Sequence, residues 1–431
     1  MEPVVISALD QEGRGVARVD GKAVFVEGAL IGERVGIEIF RNKPNYALAR
    51  MTALFEASHE RAEPGCPHFG VCGGCSLQHL EPLAQVAVKQ RVLEDALWHI
   101  ARIRPQQLLS PIHGPTWGYR QRARLSVRYV PKKGGALVGF HERKSSFVAD
   151  MTTCPVLPPR ISALLPRLRS LVGALSIRDR LPQIELAIGD GAEGEALILR
   201  HLAPFTQDDE RELSAFAQRH GVHIYLQSSG PASIRSFYPE QSTLSYALPD
   251  FSVRFEFEPS DFTQVNGAVN RMLVRRAIGL LDPRPGQRIA DFFCGLGNFT
   301  LPIARRGADV IGIEGSAALV RRAETNAALN ALTERARFVV GNLFEASEES
   351  IASLGPLDKI LIDPPREGAI ALVKALPRQI SRIVYVSCNA ATLARDAELL
   401  VGTQGFVLRA AGIANMFPHT AHVESVAVFE R

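Results

Sequence analysis

Apolar positions along the chain change their period from one region to the next. Over the first 56 residues they fall in short alternating runs, "VVISALD", "GVARVDG", "AVFVEGAL", "ERVGIEIF" and "YALARMTALFE". Turn residues recur about every eight to twelve positions, which predicts short strands curled into a small β-barrel. Between 79 and 104 the spacing shifts to near 3.6 in "EPLAQVAVKQRVLEDALWHIARI", a helix. From 117 to about 258, the runs "ARLSVRYV", "GALVGFHE", "IELAIGD", "EALILRHL" and "GVHIYLQ" predict strands of an α+β region. Beyond 267, strand-like runs alternate with helical ones: "RIADFFC", "ADVIGIEG", "ARFVVGN", "LDKILIDPP", "RIVYVSC" and "SVAVFER". That alternation predicts an α/β domain with a doubly wound, mostly parallel sheet. The expected division is a barrel over 1–56, a central α+β domain over 57–260 and an α/β domain over 261–431.

Composition is that of an ordinary globular chain of 431 residues. No apolar run approaches the ~18 residues of a membrane span, and the N-terminus lacks a signal peptide's basic start and apolar stretch. A cytoplasmic chain with reduced thiols is expected, without a membrane partner. The net charge of +4 is unevenly placed. Residues 61–180 hold 18 Lys and Arg against 7 Asp and Glu, so a polyanion such as RNA is the expected partner. Six cysteines are present, and Cys66, Cys72 and Cys75 form C-x5-C-x2-C with Gly73 and Gly74 inside it. Clustered thiols in a reduced compartment point to a metal centre, with Cys154 as fourth ligand. Four thiolates suit either structural zinc or an iron–sulfur cluster.

The chemistry concentrates where the last domain's strands end. "ADFFCGLGNFT" follows its first strand, and Gly295 and Gly297 let backbone approach a ligand ahead of a helix. The second strand ends at Glu314, 23 positions after Asp291, placed to accept hydrogen bonds from a ribose. The third ends at Asn342, suited to an adenine edge, and the fourth at Asp363 in "DPPREG". The longer GxGxxG of dinucleotide binders is broken here, and D-x-x-C-G-x-G-N resembles S-adenosylmethionine-dependent methyltransferases. The fifth strand brings Cys388 to the same edge. A thiolate adding to carbon 6 of a uracil makes carbon 5 nucleophilic towards a sulfonium methyl. A base must then remove the carbon 5 proton so that the thiolate leaves. Glu424, at the start of the last strand and preceded by His419 and His422, is the candidate base.

"DFTQVN", "DFFCGLGNFT", "ILIDPPREG", "YVSCNAATLARD" and "MFPHTAHVES" together resemble the RNA uracil-5-methyltransferase family in order and spacing. Matched by position, the resemblance implies Cys388 as nucleophile and Glu424 as base. It implies Gln264, Phe293, Glu314 and Asn342 around S-adenosylmethionine, Asn298 in the same loop, and Asp363 beside both the donor and the target uracil. Family members often carry proline after S-C-N, where this chain has Ala390. "EGRGVARVDGKAVFVEGALIGERV" resembles the TRAM module, an RNA-binding barrel. The branch of the family acting on 23S ribosomal RNA has a similar cysteine set, which implies a [4Fe–4S] cluster on Cys66, Cys72, Cys75 and Cys154, and a monomeric enzyme with that RNA as partner. In "WGYRQRARLSVRYVPKKGG", Arg120, Arg122, Arg124 and Arg128 are expected to present guanidinium groups to phosphates from one strand face, with Trp117 and Tyr119 stacking on bases. The alternatives are a methyltransferase acting on an exocyclic base nitrogen, because DPPR resembles that class's D/N-P-P-aromatic, and a non-catalytic, metal-bound RNA-binding protein.

Overall fold

The computed structural model describes residues 3–190, 194–241 and 243–431. Its largest sheet is built on β1 (Arg288–Phe292), β2 (Asp309–Glu314), β3 (Ala336–Val340), β4 (Lys359–Ile362), β5 (Arg382–Ser387), β6 (Val407–Ala414) and β7 (Glu424–Glu430). The strand order is β3-β2-β1-β4-β5-β7-β6, with the short strand Gln107–Leu108 at the β6 edge. The first five strands are parallel, and β7 enters antiparallel between β5 and β6. Parallel strands covered on both faces are apolar throughout, and residues 383–386 of β5 are wholly buried. The order reverses at β1 and β4, which opens a crevice at their carboxyl ends.

Strand β6 has no counterpart among the expected strands. Its sequence, "VLRAAGIA", is rich in alanine and glycine, which have low strand propensity, yet most of it is buried. Burial between β7 and the helix α1 (Pro82–His99), not local preference, makes it a strand.

The N-terminal unit is a six-stranded sheet around a core of Ile6, Ala17, Val24, Val26, Val35 and Ala49. Val4–Val5 pairs with the strand Arg34–Asn42, and Ala8–Leu9 with Gly15–Val19, so one short segment stitches both edges and curls the sheet on itself. The central unit is a second six-stranded sheet, with the helices Pro159–Ala174 and Gln207–His220 packed in its core.

The N-terminal sheet ends at Glu56, but packing does not follow the linear division between 57–260 and 261–431. The helix α1 packs against α2 (Ala390–Gly402) and β6, and Gln107–Leu108 joins the C-terminal sheet. The hairpin Leu244–Leu248 with Val253–Phe257 also buries its Phe255 and Phe257 in the C-terminal core. These segments belong spatially to the third domain because their apolar faces are covered there.

Candidate active site

The trio Ser387-Cys388-Asn389 divides its work. Ser387 ends β5, and Asn389 caps α2 by accepting from the N–H groups of Ala391 and Thr392 at 3.0 and 3.4 Å. Cys388 is thereby fixed between a buried strand and the electropositive start of a helix. On the neighbouring strand, Ser387 pairs with Ser425 in antiparallel register as the last pair of the ladder, and Cys388 and Glu424 are the next residues along the two strands. Asp363 follows β4, alongside β5, with its N–H donating to the Phe292 carbonyl at 3.2 Å.

Cys388, Glu424 and Asp363 share a cavity of about 570 Å3 with Gln264, Phe293, Asn298, Glu314 and Asn342. All eight positions singled out in the sequence for catalysis and donor binding thus meet in one place. Glu314 accepts from the N–H groups of Gly295 at 3.2 Å and Ser316 at 3.0 Å, which ties the glycine loop to the end of β2. Phe293 holds a positive φ of 65°, a strained conformation for an aromatic residue, at the start of that loop. Asn298 is locked by Asn270 and by the Tyr246 hydroxyl. Asn342 caps the turn after β3 by accepting from the Phe344 N–H at 3.2 Å. Asp291 is fully buried below the loop and accepts from the Thr300 hydroxyl at 2.5 Å, while its Oδ1 has no partner.

Burial dominates the electrostatics. It pushes the Cys388 thiol up to about 11, with the Glu424 and Asp363 carboxylates adding to the rise and the Arg366 guanidinium opposing it. Burial also raises Asp363 to about 7, and holds Glu424 well above the ordinary carboxylate range with help from Asp363. Burial thus favours the neutral thiol and raises the proton affinity of both carboxyls that face it.

Several lining residues carried no assigned role in the sequence: Arg366, Phe262, Phe344, Tyr246 and Phe417. Arg366 was recoverable, since it directly follows the prolines after Asp363. Phe262 lies inside the quoted "DFTQVN". Tyr246 gives no signal, because its hairpin reaches the site only through the fold.

The expected RNA-binding strand differs from expectation. Arg122 turns inward and donates to the carbonyls of Asp261 and Pro259 at 2.6 and 2.7 Å. Tyr119 is buried, with its hydroxyl on the Pro418 carbonyl at 3.0 Å. Trp117 already stacks on His419 at 3.9 Å. Arg124 and Arg128 remain exposed on the strand Arg122–Val130. The intervening residues pack inward, and Arg122 meets backbone acceptors that draw it out of solvent.

Cys66, Cys72, Cys75 and Cys154 line a second cavity with Phe69, Phe140, Met151 and Val156. Burial pushes the Cys75 thiol up to about 11 and Cys154 to about 12, with neighbouring thiols adding to both. Among the described residues, no three His, Cys, Asp or Glu side chains form a ready metal-holding group. The four thiols share a cavity, and the expectation of a cluster is supported no further than that.

A doubly wound sheet with a glycine loop after its first strand, and acidic residues at its first, second and fourth strand ends, defines an S-adenosylmethionine-dependent methyltransferase. The tRNA (Uracil-5-)-methyltransferase family matches residues 84–431 and the TRAM domain residues 2–52. The chain belongs to the tRNA (Uracil-5-)-methyltransferase family. It is 61% identical, over the full length of both chains, to the 23S rRNA (uracil(1939)-C(5))-methyltransferase RlmD of Aromatoleum aromaticum. The protein of the same name from Nitrosospira multiformis is 58% identical, with 100% of this chain and 98% of that one covered. The tRNA (uracil-54, C5)-methyltransferase of Pyrococcus abyssi, solved with S-adenosyl-L-homocysteine, has the same fold: TM-score 0.75 at 24% identity over 99% of this chain and 100% of that one.

Proposed function

We propose that this protein methylates carbon 5 of a uridine in 23S ribosomal RNA, with S-adenosylmethionine as donor. The observation that carries the reading is the β5–β7 register, which sets Cys388 against Glu424 at the cavity that Glu314 and Asn342 also line. The full-length likeness to enzymes named for 23S rRNA supports the choice of RNA. When bound, S-adenosylmethionine supplies an electrophilic sulfonium methyl. Cys388 loses its proton to solvent, while Glu424 stays a carboxylate, and the thiolate adds to carbon 6 of the flipped uracil, which moves the ring's electron pair towards carbon 5. Asp363 holds the uracil edge and Glu314 the donor's ribose. After carbon 5 takes the methyl, Glu424 accepts the proton from that carbon, the 5,6 double bond re-forms and the Cys388 thiolate departs. A nitrogen-directed methyltransferase would leave Cys388 and its opposed carboxyl without a role.

Replacing Cys388 by Ala should abolish transfer while leaving S-adenosylmethionine binding nearly intact. Glu424→Gln should leave an RNA–protein adduct that survives a denaturing gel. Normal 5-methyluridine formation by either variant, measured by nucleoside digestion, would sink the corresponding role.

The same reading gives the thiol-lined cavity a [4Fe–4S] cluster held by Cys66, Cys72, Cys75 and Cys154. Three of the four cysteines are buried, the cavity wall is apolar and sulfur-rich, and the donor set is all thiol, which fits such a group. Thiols held neutral by burial would release their protons on loading. A monomer working on RNA in the cytoplasm completes the proposal. No helix among the described residues is long and apolar enough to cross a membrane.

A further inference from the structure

The loop 415–423 joins β6 to β7 and brings Phe417 and His422 to the cavity just before Glu424. Much of its anchorage comes from α1, behind the site. Gln85 of that helix is fully buried. Its Oε1 accepts from the His419 N–H at 2.8 Å, and its Nε2 donates to the carbonyls of Leu77 and Leu80 at 3.0 and 2.8 Å. One turn along, the buried Lys89 donates from Nζ to Asn415 Oδ1 at 2.7 Å and to the Phe417 carbonyl at 2.8 Å. Both acceptors are neutral, and an ammonium buried against neutral partners is costly to keep. The N–H groups of Ser76 and Leu77 close on the His419 carbonyl at 2.8 and 2.9 Å. Held between the Gln85 acceptor and the Ser76 and Leu77 donors, His419 sits at a φ of 65°, which a non-glycine residue adopts only when its surroundings impose it.

Cys388 is held by β5 and the capped start of α2. Glu424 is the first residue after the loop, paired with Ala414 at the loop end of the β6–β7 hairpin, so loosening the loop reaches the carboxyl directly and the thiol only through the β5–β7 ladder. We infer that Gln85 and Lys89 are positioning residues for proton abstraction: they clamp the loop 415–423 to α1 so that Glu424 meets the methylated adduct. The inference rests on Glu424 being the general base.

The test uses the full chain, an RNA fragment carrying the target uridine, and S-adenosylmethionine, with Gln85→Met and Lys89→Met measured beside Glu424→Gln. Both helix variants should keep the KM for RNA and donor within about twofold, because neither side chain lines the cavity. The lifetime of the denaturation-resistant adduct should lengthen by roughly tenfold or more, because a small displacement of a catalytic group has effects of that order. A role confined to folding would lower the Tm without lengthening the adduct's life, and that result overturns the inference. Tyr119→Phe, which deletes only the hydroxyl bound to Pro418, should lengthen it by a smaller factor and serves if the helix variants do not fold. An unchanged lifetime in Tyr119→Phe then counts against the clamp. If Glu424→Gln itself forms no lasting adduct, the base assignment fails. If it does and the folded clamp variants do not, the positioning role alone fails.

Discussion

At the scale of single residues, the site is defined by what burial does to protons. The Cys388 thiol is pushed up to about 11 by burial and by two carboxylates, against Arg366. Its thiolate fraction should rise tenfold per pH unit towards that value, whereas an ordinary cysteine levels off near about 8.5. Alkylation at Cys388, followed by peptide mass mapping, is expected to keep accelerating between about pH 8 and 10, and a plateau below 9 would contradict this. Asp291 is raised to about 7 by burial, with Asp363 adding to it. A carboxyl whose folded value lies above its unfolded ~3.9 favours the native state fully below that value, and the contribution is lost as pH rises through about 7. Asp291→Asn should therefore flatten the decline in stability between about pH 4 and 7, by up to a few kcal/mol in urea unfolding. An identical pH profile for the variant and the parent would remove Asp291 as the source.

Between elements, close approach decides whether the donor loop can form. Gly312 in β2 faces the Phe338 ring and the Cys294 sulfur, and a Cβ there would lie 2.7 and 2.8 Å from them. Gly312→Ala is expected to cost about 1–3 kcal/mol by overpacking and to weaken S-adenosylmethionine binding, because Cys294 begins the loop. Calorimetric titration and thermal unfolding check the two halves of that expectation. The β5–β7 ladder matters in another way. A slip of one residue would send Glu424 to the opposite face of the sheet, so the opposition of thiol and carboxyl depends on all six pairs from Arg382 to Ser387.

Across the whole molecule, a segment between the barrel and the central sheet serves the catalytic sheet. The strand Gln107–Leu108 completes its far edge, the helix α1 packs against β6, and Ser76, one residue past Cys75, bonds to the loop that precedes Glu424. The segment that carries Cys75 is thus tied by hydrogen bonds to the loop that leads to Glu424. Anaerobic reconstitution with iron and sulfide should give a brown protein with visible absorbance and a higher Tm, because a group bound only by the native state stabilises it. Cys154→Ser should lose both. A colourless protein that binds one zinc instead would replace the cluster with the other four-thiolate centre.

The sequence by itself determined the strand ends. The period of apolar residues marks where β1 to β5 stop, and parallel strands must end on a common edge, so Asp363, Glu314, Asn342 and Cys388 were bound to gather there. It also determined part of the local grammar of the site, the glycines after β1. Tertiary structure alone decided that β7 runs antiparallel beside β5, because strand order depends on which apolar faces remain to be covered. That choice sets Glu424 against Cys388. Tertiary structure also made β6 a strand despite its alanines, drew Arg122 and Tyr119 away from solvent, and brought α1 under the catalytic loop. Each of these depends on contacts between residues distant in the chain, such as Lys89 with Asn415, and no local pattern encodes them.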